Sequence, residues 1–485
     1  MKTFDVKHSD IVNFENILEA DKNASQCKHY RDENLKFSAH REEGIIDLLN
    51  RLTYYPVFDE EGNQIPGKTE SSYKVGRYRK KQIYEPKPRI IMALEYPDRV
   101  VQWAYYQILN PLFDKQFITH SYGCRQGKGT TKARDQLQRW LRKVNRSGKT
   151  WYVLKLDISK YFYRVDHAVL MDILSRKIKD EEILRDLYKL INCENTAFGL
   201  PAGVQPELCN EEDWLFDRGM PIGNLTSQMF ANIYLNELDQ YCKHELGIHL
   251  FIRYVDDIII LWPDKEELKG ILDNIKNFLE ERLHLELNNK TSIRPAWLPV
   301  TFVGAQISPK FIRMRKSTRK RMFRRIKFIK KLFEACEIGF QKLNNTMQSY
   351  FGLIQHFTAG NLLRKIIDEF SFRIRNNSQS GIIPAIFNCL FSGKGGSPME
   401  AEFEREVLDR LIKIEEKLDG YNNAKVKTYE NEKAILRIQN DLEDVTTKVD
   451  SLEESNKWLF RTVVAAIITA AVGILFTLIR SGVGM

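Results

Sequence analysis

The sequence predicts an α+β region followed by one long helix and an apolar terminal helix, and three observations carry that prediction. Short apolar, β-branched runs alternate with helical patterns through about residue 375. Residues 399–457 are acidic and repeat apolar positions at intervals of three and four. Residues 462–479 hold no charge, and with Trp458, Leu459 and Phe460 ahead of them the run reaches the ~20 residues that cross a bilayer.

At 485 residues the chain exceeds one average domain and can bury a full-sized core. Its net charge of +10 calls for an anionic partner, nucleic acid or an anionic membrane surface. The basic excess lies before about residue 390, so a polyanion belongs to that part. The seven cysteines, at 27, 124, 193, 209, 242, 336 and 389, form no C-x-x-C pair. That spacing suggests neither a zinc ribbon nor a disulfide framework, and reduced cytosolic thiols are expected. The first ten residues, MKTFDVKHSD, lack the apolar run of a signal peptide.

The chemistry is concentrated in three segments. FIRYVDDIIIL, residues 251–261, reads as strand, tight turn, strand, which thrusts Asp256 and Asp257 out at a hairpin tip. Adjacent carboxylates repel each other unless a cation neutralises them, and a hard divalent ion suits oxygen ligands. Upstream, WYVLKLDISKYFYRVDH carries Asp157 at the end of another apolar strand, residues 151–156. A third carboxylate completes a ligand set for two Mg2+ ions (Mn2+ can substitute), the arrangement that activates a 3′-hydroxyl and steadies a leaving pyrophosphate. Between them, RGMPIGNLTSQMFANIYLNELD opens a turn at Gly223 and Asn224 ahead of a helix with Thr226 and Ser227 near its start. Such a turn admits close approach of a nucleotide, and a plain helix cap is the alternative.

The ordered set EPKPRIIMA (85–93), SYGCRQGKGT (121–130), LKLDISKYF (154–162), GMPIGNLTSQ (219–228), RYVDD (253–257) and FVG (302–304) resembles the palm of reverse transcriptases. The resemblance covers residues 40–375 and implies a right-hand polymerase with fingers, palm and thumb. Residues 1–84 would form the N-terminal region and start of the fingers, 85–305 fingers and palm, and 306–375 the thumb. It implies RNA template, primer and dNTPs as partners. Asp157 and Asp256 would be the main metal ligands, with Asp257 supporting them. Phe162 resembles a steric gate that excludes a ribose 2′-hydroxyl; a core aromatic is the alternative. Lys87 and Arg89 fall where the family contacts the triphosphate, and the guanidinium fork suits phosphate better. Lys290 resembles the lysine that protonates pyrophosphate, and a solvated lysine is the other reading.

Many reverse transcriptases begin the loop after the first aspartate with Gln-Gly and end it with Ser-Pro, whereas here Ile222-Gly223 begins it and Ser227-Gln228 ends it. That pattern is similar to the diversity-generating retroelement enzymes, which copy template adenines with low fidelity. Apolar Ile222 lacks the hydrogen bonds a glutamine offers near the nucleotide.

Downstream, residues 312–333 interleave Arg313, Arg315, Lys316, Arg319, Lys320, Arg321, Arg324 and Arg325 with Met322, Phe323, Ile326 and Phe328. Phosphate neutralisation from a thumb helix is the expected role. Residues 347–366 resemble the family's thumb segment. His167 and His356 read as structural.

A Gly/Ser/Pro cluster marks residues 376–398 as a linker. In the acidic coiled coil, 399–457, Ile435, Ile438, Leu442, Val445, Val449 and Leu452 form a seam that predicts self-association. A transmembrane helix is expected over 458–480, and Lys457 and Arg461 ahead of its uncharged run at 462–479, with only Arg480 after it, favour a cytoplasmic catalytic domain anchored by a single C-terminal pass. The last 85 or so residues resemble the phage XhlA haemolysin and holin-accessory family. Three readings stand: an RNA-directed DNA polymerase, with an accessory protein as a further expected partner, in mutagenic retrohoming or, as the anchor suggests, antiphage defence; an RNA-dependent RNA polymerase, disfavoured by Phe162 and the YVDD form; and a membrane-lytic protein carrying a polymerase relic.

Overall fold

The run of four apolar residues after Asp257 has a simple cause: both faces of its strand are covered. The computed structural model describes residues 3–84, 89–201, 203–335, 337–358, 362 and 365–366. The linker, coiled coil and transmembrane helix expected over 376–480 lie outside the described residues, as does Lys87. Among the described residues no helix is long and apolar enough to cross a membrane.

The chain opens with helices α1 (His8–Ile11), α2 (Phe14–Ser25), α3 (Asp32–Ala39) and α4 (Arg41–Leu52). Strands β1 (Tyr55–Phe58), β2 (Gln64–Glu70), β3 (Arg79–Ile83) and β4 (Arg89–Ala93) follow as two antiparallel hairpins, β1 with β2 and β3 with β4. Helices α5 (Tyr96–Asp114) and α6 (Thr130–Asn145) precede strand β5 (Tyr152–Asp157). Then come helices α7 (His167–Ser175), α8 (Glu181–Ile191) and α9 (Leu225–Gln240), strands β6 (Phe251–Tyr254) and β7 (Asp257–Trp262), and helix α10 (Lys265–Leu283). Strands β8 (Ser292–Pro295), β9 (Val300–Phe302), β10 (Ala305–Ile307) and β11 (Ile312–Met314) lead to helices α11 (Lys316–Glu334) and α12 (Phe340–Ile354). Side-chain caps start several helices: Asp166 accepts from Val169 N, Asp180 from Ile183 N, and Asp264 from Glu266 N and Glu267 N.

Two compact units divide the chain, residues 1–329 with 352–368, and residues 330–351 with 369–485. In the first unit the central antiparallel sheet runs β6-β7-β5-β8, and a second sheet runs β11-β10-β9. Leu154, Leu156, Ile258 and Ile260 face a core shared with α5, α9 and α10. Their neighbours Val153, Ile259 and Leu261 face another core built from α6 and the β9–β10 strands. A strand buried on both sides reads as a continuous apolar run, as residues 258–261 do. In the second unit the described residues are the end of α11, residues 335 and 337–339 of the connection, and most of α12.

Candidate active site

The sheet brings the carboxylates together through register. Asp157, the last residue of β5, pairs directly with Asp257, the first residue of β7. Tyr254 pairs with Asp257 across the hairpin, leaving Val255 and Asp256 as a two-residue turn. Val255 takes φ 56°, a left-handed conformation that is costly for a β-branched residue and is held only where the surroundings fix it.

Those surroundings are visible. Tyr122 N donates to Arg253 O (2.9 Å), Arg253 N donates to His120 O (3.0 Å), and so the SYGC segment borders β6. A Cβ on Gly123 would lie 2.6 Å from Val255 Cγ2 and 2.7 Å from its nitrogen, so only glycine fits beneath the turn. Arg253 is fully buried and forms a bidentate pair with buried Asp239, both bonds 2.7 Å, while its Nη1 donates to Asn232 Oδ1 and to Val255 O, each at 3.2 Å. Asn232 in turn donates to Gly123 O at 2.9 Å. One buried network therefore fixes both the turn and the loop beneath it.

Burial, together with the charges of Asp157 and Asp257, raises the Asp256 carboxyl from 3.8 to about 6. Burial also raises Asp257, offset by Lys155. Lys155 Nζ makes an ion pair with Asp257 Oδ1 at 2.8 Å and donates to Thr301 O at 2.8 Å. Val303 N donates to Asp257 Oδ2 at 3.3 Å. Among the described residues no three His, Cys, Asp or Glu side chains close into a preformed metal cage. The three aspartates anticipated as one ligand set thus differ in their engagements, because Lys155 and the Val303 amide take up Asp257. The donor chemistry nonetheless fits a divalent ion: crowded carboxylates demand a cation, and Mg2+ is commonly held by one or two carboxylates plus substrate phosphates.

Around the carboxylates stand the anticipated nucleotide contacts. Met92 N on β4 donates to Ile222 O at 2.9 Å, and Met220 N donates to Phe162 O at 2.6 Å, which gathers β4, the Ile222 turn and the Phe162 turn. Gly223, at φ 125°, has no slack for a Cβ, which would stand 3.0 Å from Ile91 Cγ2 and 3.1 Å from Met92 O. Exposed Arg89 heads β4, and its charge acts on Asp256. Phe162 is half-buried, edge-on to Tyr161. Asn224 caps α9 in sequence, but its Nδ2 donates to Tyr78 Oη at 2.6 Å instead of its side chain capping the helix. Gln228 is exposed on the first turn of α9. Lys290 is exposed in the turn after Asn288, whose backbone N donates to Asp157 O at 2.7 Å. His167 is buried with its ring on Gly219 O at 2.6 Å, consistent with a structural role.

All eight anticipated phosphate-facing residues, from Arg313 to Arg325, are exposed. Contrary to the expected placement of all eight on one helix, Arg313 lies on β11 and Arg315 just ahead of α11; on α11 itself Met322, Ile326 and Ile329 form the buried stripe and the other six are exposed beside or away from it. Arg313 lies over the Phe311 ring and Arg325 over that of Phe328.

Residues 78–307 match the family described as reverse transcriptase (RNA-dependent DNA polymerase), and residues 406–475 match the family described as haemolysin XhlA. Over 255 residues the chain is 28% identical to a putative COX1/OXI3 intron 2 protein of Saccharomyces cerevisiae, covering 43% of this chain and 29% of that one. It is 24% identical over 337 residues to the group II intron-encoded protein LtrA of Lactococcus lactis, covering 56% and 50%. Among solved structures, apo telomerase from Candida tropicalis aligns at TM-score 0.39 and 15% identity, over 61% of this chain and 53% of that one. The chain spans 29% to 62% of the length of its first curated relatives. The described residues within the matched segment form a mixed α/β fold. Sequence patterns pointed to the three aspartates but missed Lys155, Arg134, Arg253 and Asp239, although period-two alternation already places Lys155 on the same strand face as Asp157.

Proposed function

We propose that this protein is an RNA-directed DNA polymerase, a reverse transcriptase that extends a primer on an RNA template. The observation that carries the reading is the register pairing of Asp157 with Asp257 beside Asp256 on a strained hairpin tip, within the segment that matches the reverse transcriptase family. Bound divalent metal, Mg2+ in this reading, would neutralise the triphosphate charge and favour the 3′-hydroxyl as nucleophile. Asp157 and Asp256 would hold it, and Asp257, engaged by Lys155 and Val303, would support them.

The chain's own groups do the positioning. Arg89 on β4 would meet the triphosphate, and its influence on Asp256 supports that placement. Phe162, tied through its carbonyl to Met220, would stand under the sugar and exclude a 2′-hydroxyl. The exposed Arg and Lys side chains of α11 would neutralise template–primer phosphates. Primer extension on an RNA template with dNTPs and rNTPs offered separately tests the reading: dNTP use is expected, Phe162→Ala should admit rNTPs, and a wild-type preference for rNTPs would overturn it.

A finer reading rests on Ile222, Gly223, Ser227 and Gln228: low-fidelity copying of the diversity-generating kind. Ile222→Gln is expected to narrow the misincorporation spectrum, and an unchanged spectrum refutes that reading. A second reading, a membrane-tethered enzyme serving antiphage defence, is favoured by the XhlA match over residues 406–475 and the uncharged run at 462–479. Residence of the full chain in the membrane fraction after alkaline carbonate washing supports the tether, and recovery in the supernatant removes it.

A further inference from the structure

We propose that Arg134 is a positioning residue for the reaction: by gripping the Val303 carbonyl it holds a strained turn whose amide, together with Lys155, clamps both oxygens of Asp257. The inference rests on the polymerase reading of the three aspartates and deepens it.

The turn between β9 and β10 consists of Val303 and Gly304, flanked by the pair Phe302 and Ala305. Val303 has φ 43° and Gly304 φ 73°. Two-residue turns with both residues in this region favour Asn-Gly, and a β-branched residue at the first position is disfavoured. Strain of this kind persists only where neighbours over-determine it. Here the neighbour is Arg134 on α6, which directs Nε (3.0 Å) and Nη2 (2.7 Å) at the single carbonyl of Val303. The guanidinium is buried over the Phe357 ring, 4.9 Å to the centroid. Among the described residues no carboxylate lies within ion-pair distance of it. Burying a charge without a carboxylate is costly, and spending two donors on one carbonyl is more than backbone satisfaction requires.

The far side of the same residue explains that expense. Val303 N points at Asp257 Oδ2 (3.3 Å), while Lys155 Nζ holds Oδ1 (2.8 Å) and also bonds Thr301 O in the adjoining strand (2.8 Å). Asp257 is therefore engaged at both oxygens, Oδ1 by an ion pair with Lys155 of β5 that lacks hydrogen-bond alignment and Oδ2 by the Val303 amide, and Arg134 locks the turn from behind. Asp257 pairs with Asp157 in the sheet and adjoins Asp256 in the chain, so its orientation sets the field in which both would bind metal. Partners behind metal ligands tune affinity in this way.

The test is a double-variant cycle on the full-length protein, with Mn2+ binding read from the electron paramagnetic resonance of the free ion. Arg134→Met is expected to weaken Mn2+ binding about tenfold, with Arg134→Lys restoring it to within about threefold because one donor still reaches the carbonyl. In an Asp257→Ala background the same Arg134→Met change is expected to add less than about twofold, since its route of action is gone. Half-saturating Mg2+ for primer extension should rise in parallel. Wild-type binding in Arg134→Met, or a full tenfold loss in the Asp257→Ala background, would overturn the proposal. If Arg134→Met does not fold, Arg134→Gln enters the same cycle. The polymerase reading fails separately: Asp157→Ala extending primers would remove it, while the Mn2+ cycle would still judge the clamp.

Discussion

Replacing Asp256 with Asn should make the metal-free protein more stable, although it removes a proposed ligand. Burial and the two adjoining aspartates raise its carboxyl from 3.8 to about 6. A rise of about two units corresponds to about 3 kcal/mol against the native state when the group is ionised. The unfolded chain keeps the ordinary value, so the cost is full well above pH 6. It shrinks as pH falls through 6 and vanishes below 3.8, where both states hold the proton. Linkage gives roughly half the cost at pH 5. In thermal melts with chelator at pH 8, Asp256→Asn is expected to unfold about 5 °C above wild type, and the gap should fall to about half at pH 5. Saturating Mg2+ should then raise wild type more than the variant, because a ligand that binds the native state stabilises it. A variant that melts below wild type at pH 8 without metal, or a gap independent of pH, would refute the reasoning.

Three further outcomes follow from the same geometry. Arg253→Met leaves Asp239 buried without its partner and should cost about 3–5 kcal/mol in denaturant titration, most of it recovered by adding Asp239→Leu. Gly123→Ala forces a Cβ into Val255 and shifts the hairpin tip, so primer extension should fall on the order of 100-fold while RNA binding stays within error. Neutralising Arg321, Arg324 and Arg325 together should weaken binding across all template sequences. The salt slope, measured by fluorescence anisotropy, should fall by roughly 0.7–0.9 for each phosphate that is no longer neutralised.

Local pattern made the frame of the candidate site legible. The apolar run of residues 258–261 identifies a strand covered on both faces, and the turn between two such strands isolates Asp256. The basic and apolar positions of residues 312–333 likewise separate into an exposed face and the buried stripe of Met322, Ile326 and Ile329. What stayed hidden depends on distant pairing. Arg253 reads as an ordinary polar residue ahead of a turn, and only the fold brings Asp239 and Asn232 to it. Gly123 stands in a recognised segment, yet its necessity comes from Val255 far along the chain. The strain at Val303 is invisible in sequence because nothing local in Phe-Val-Gly announces a positive φ, and Arg134 is joined to it only through the tertiary fold.

The central claim is that Asp157 and Asp256 together support DNA synthesis on an RNA template. Its most direct test is primer extension with dNTPs and Mg2+ on an RNA template, comparing wild type with Asp157→Asn and Asp256→Asn proteins that melt cooperatively. Wild type is expected to make full-length cDNA, and each variant to lose about a thousandfold or more in rate. Undiminished synthesis by either variant, or none by wild type across primers and templates, would contradict the account.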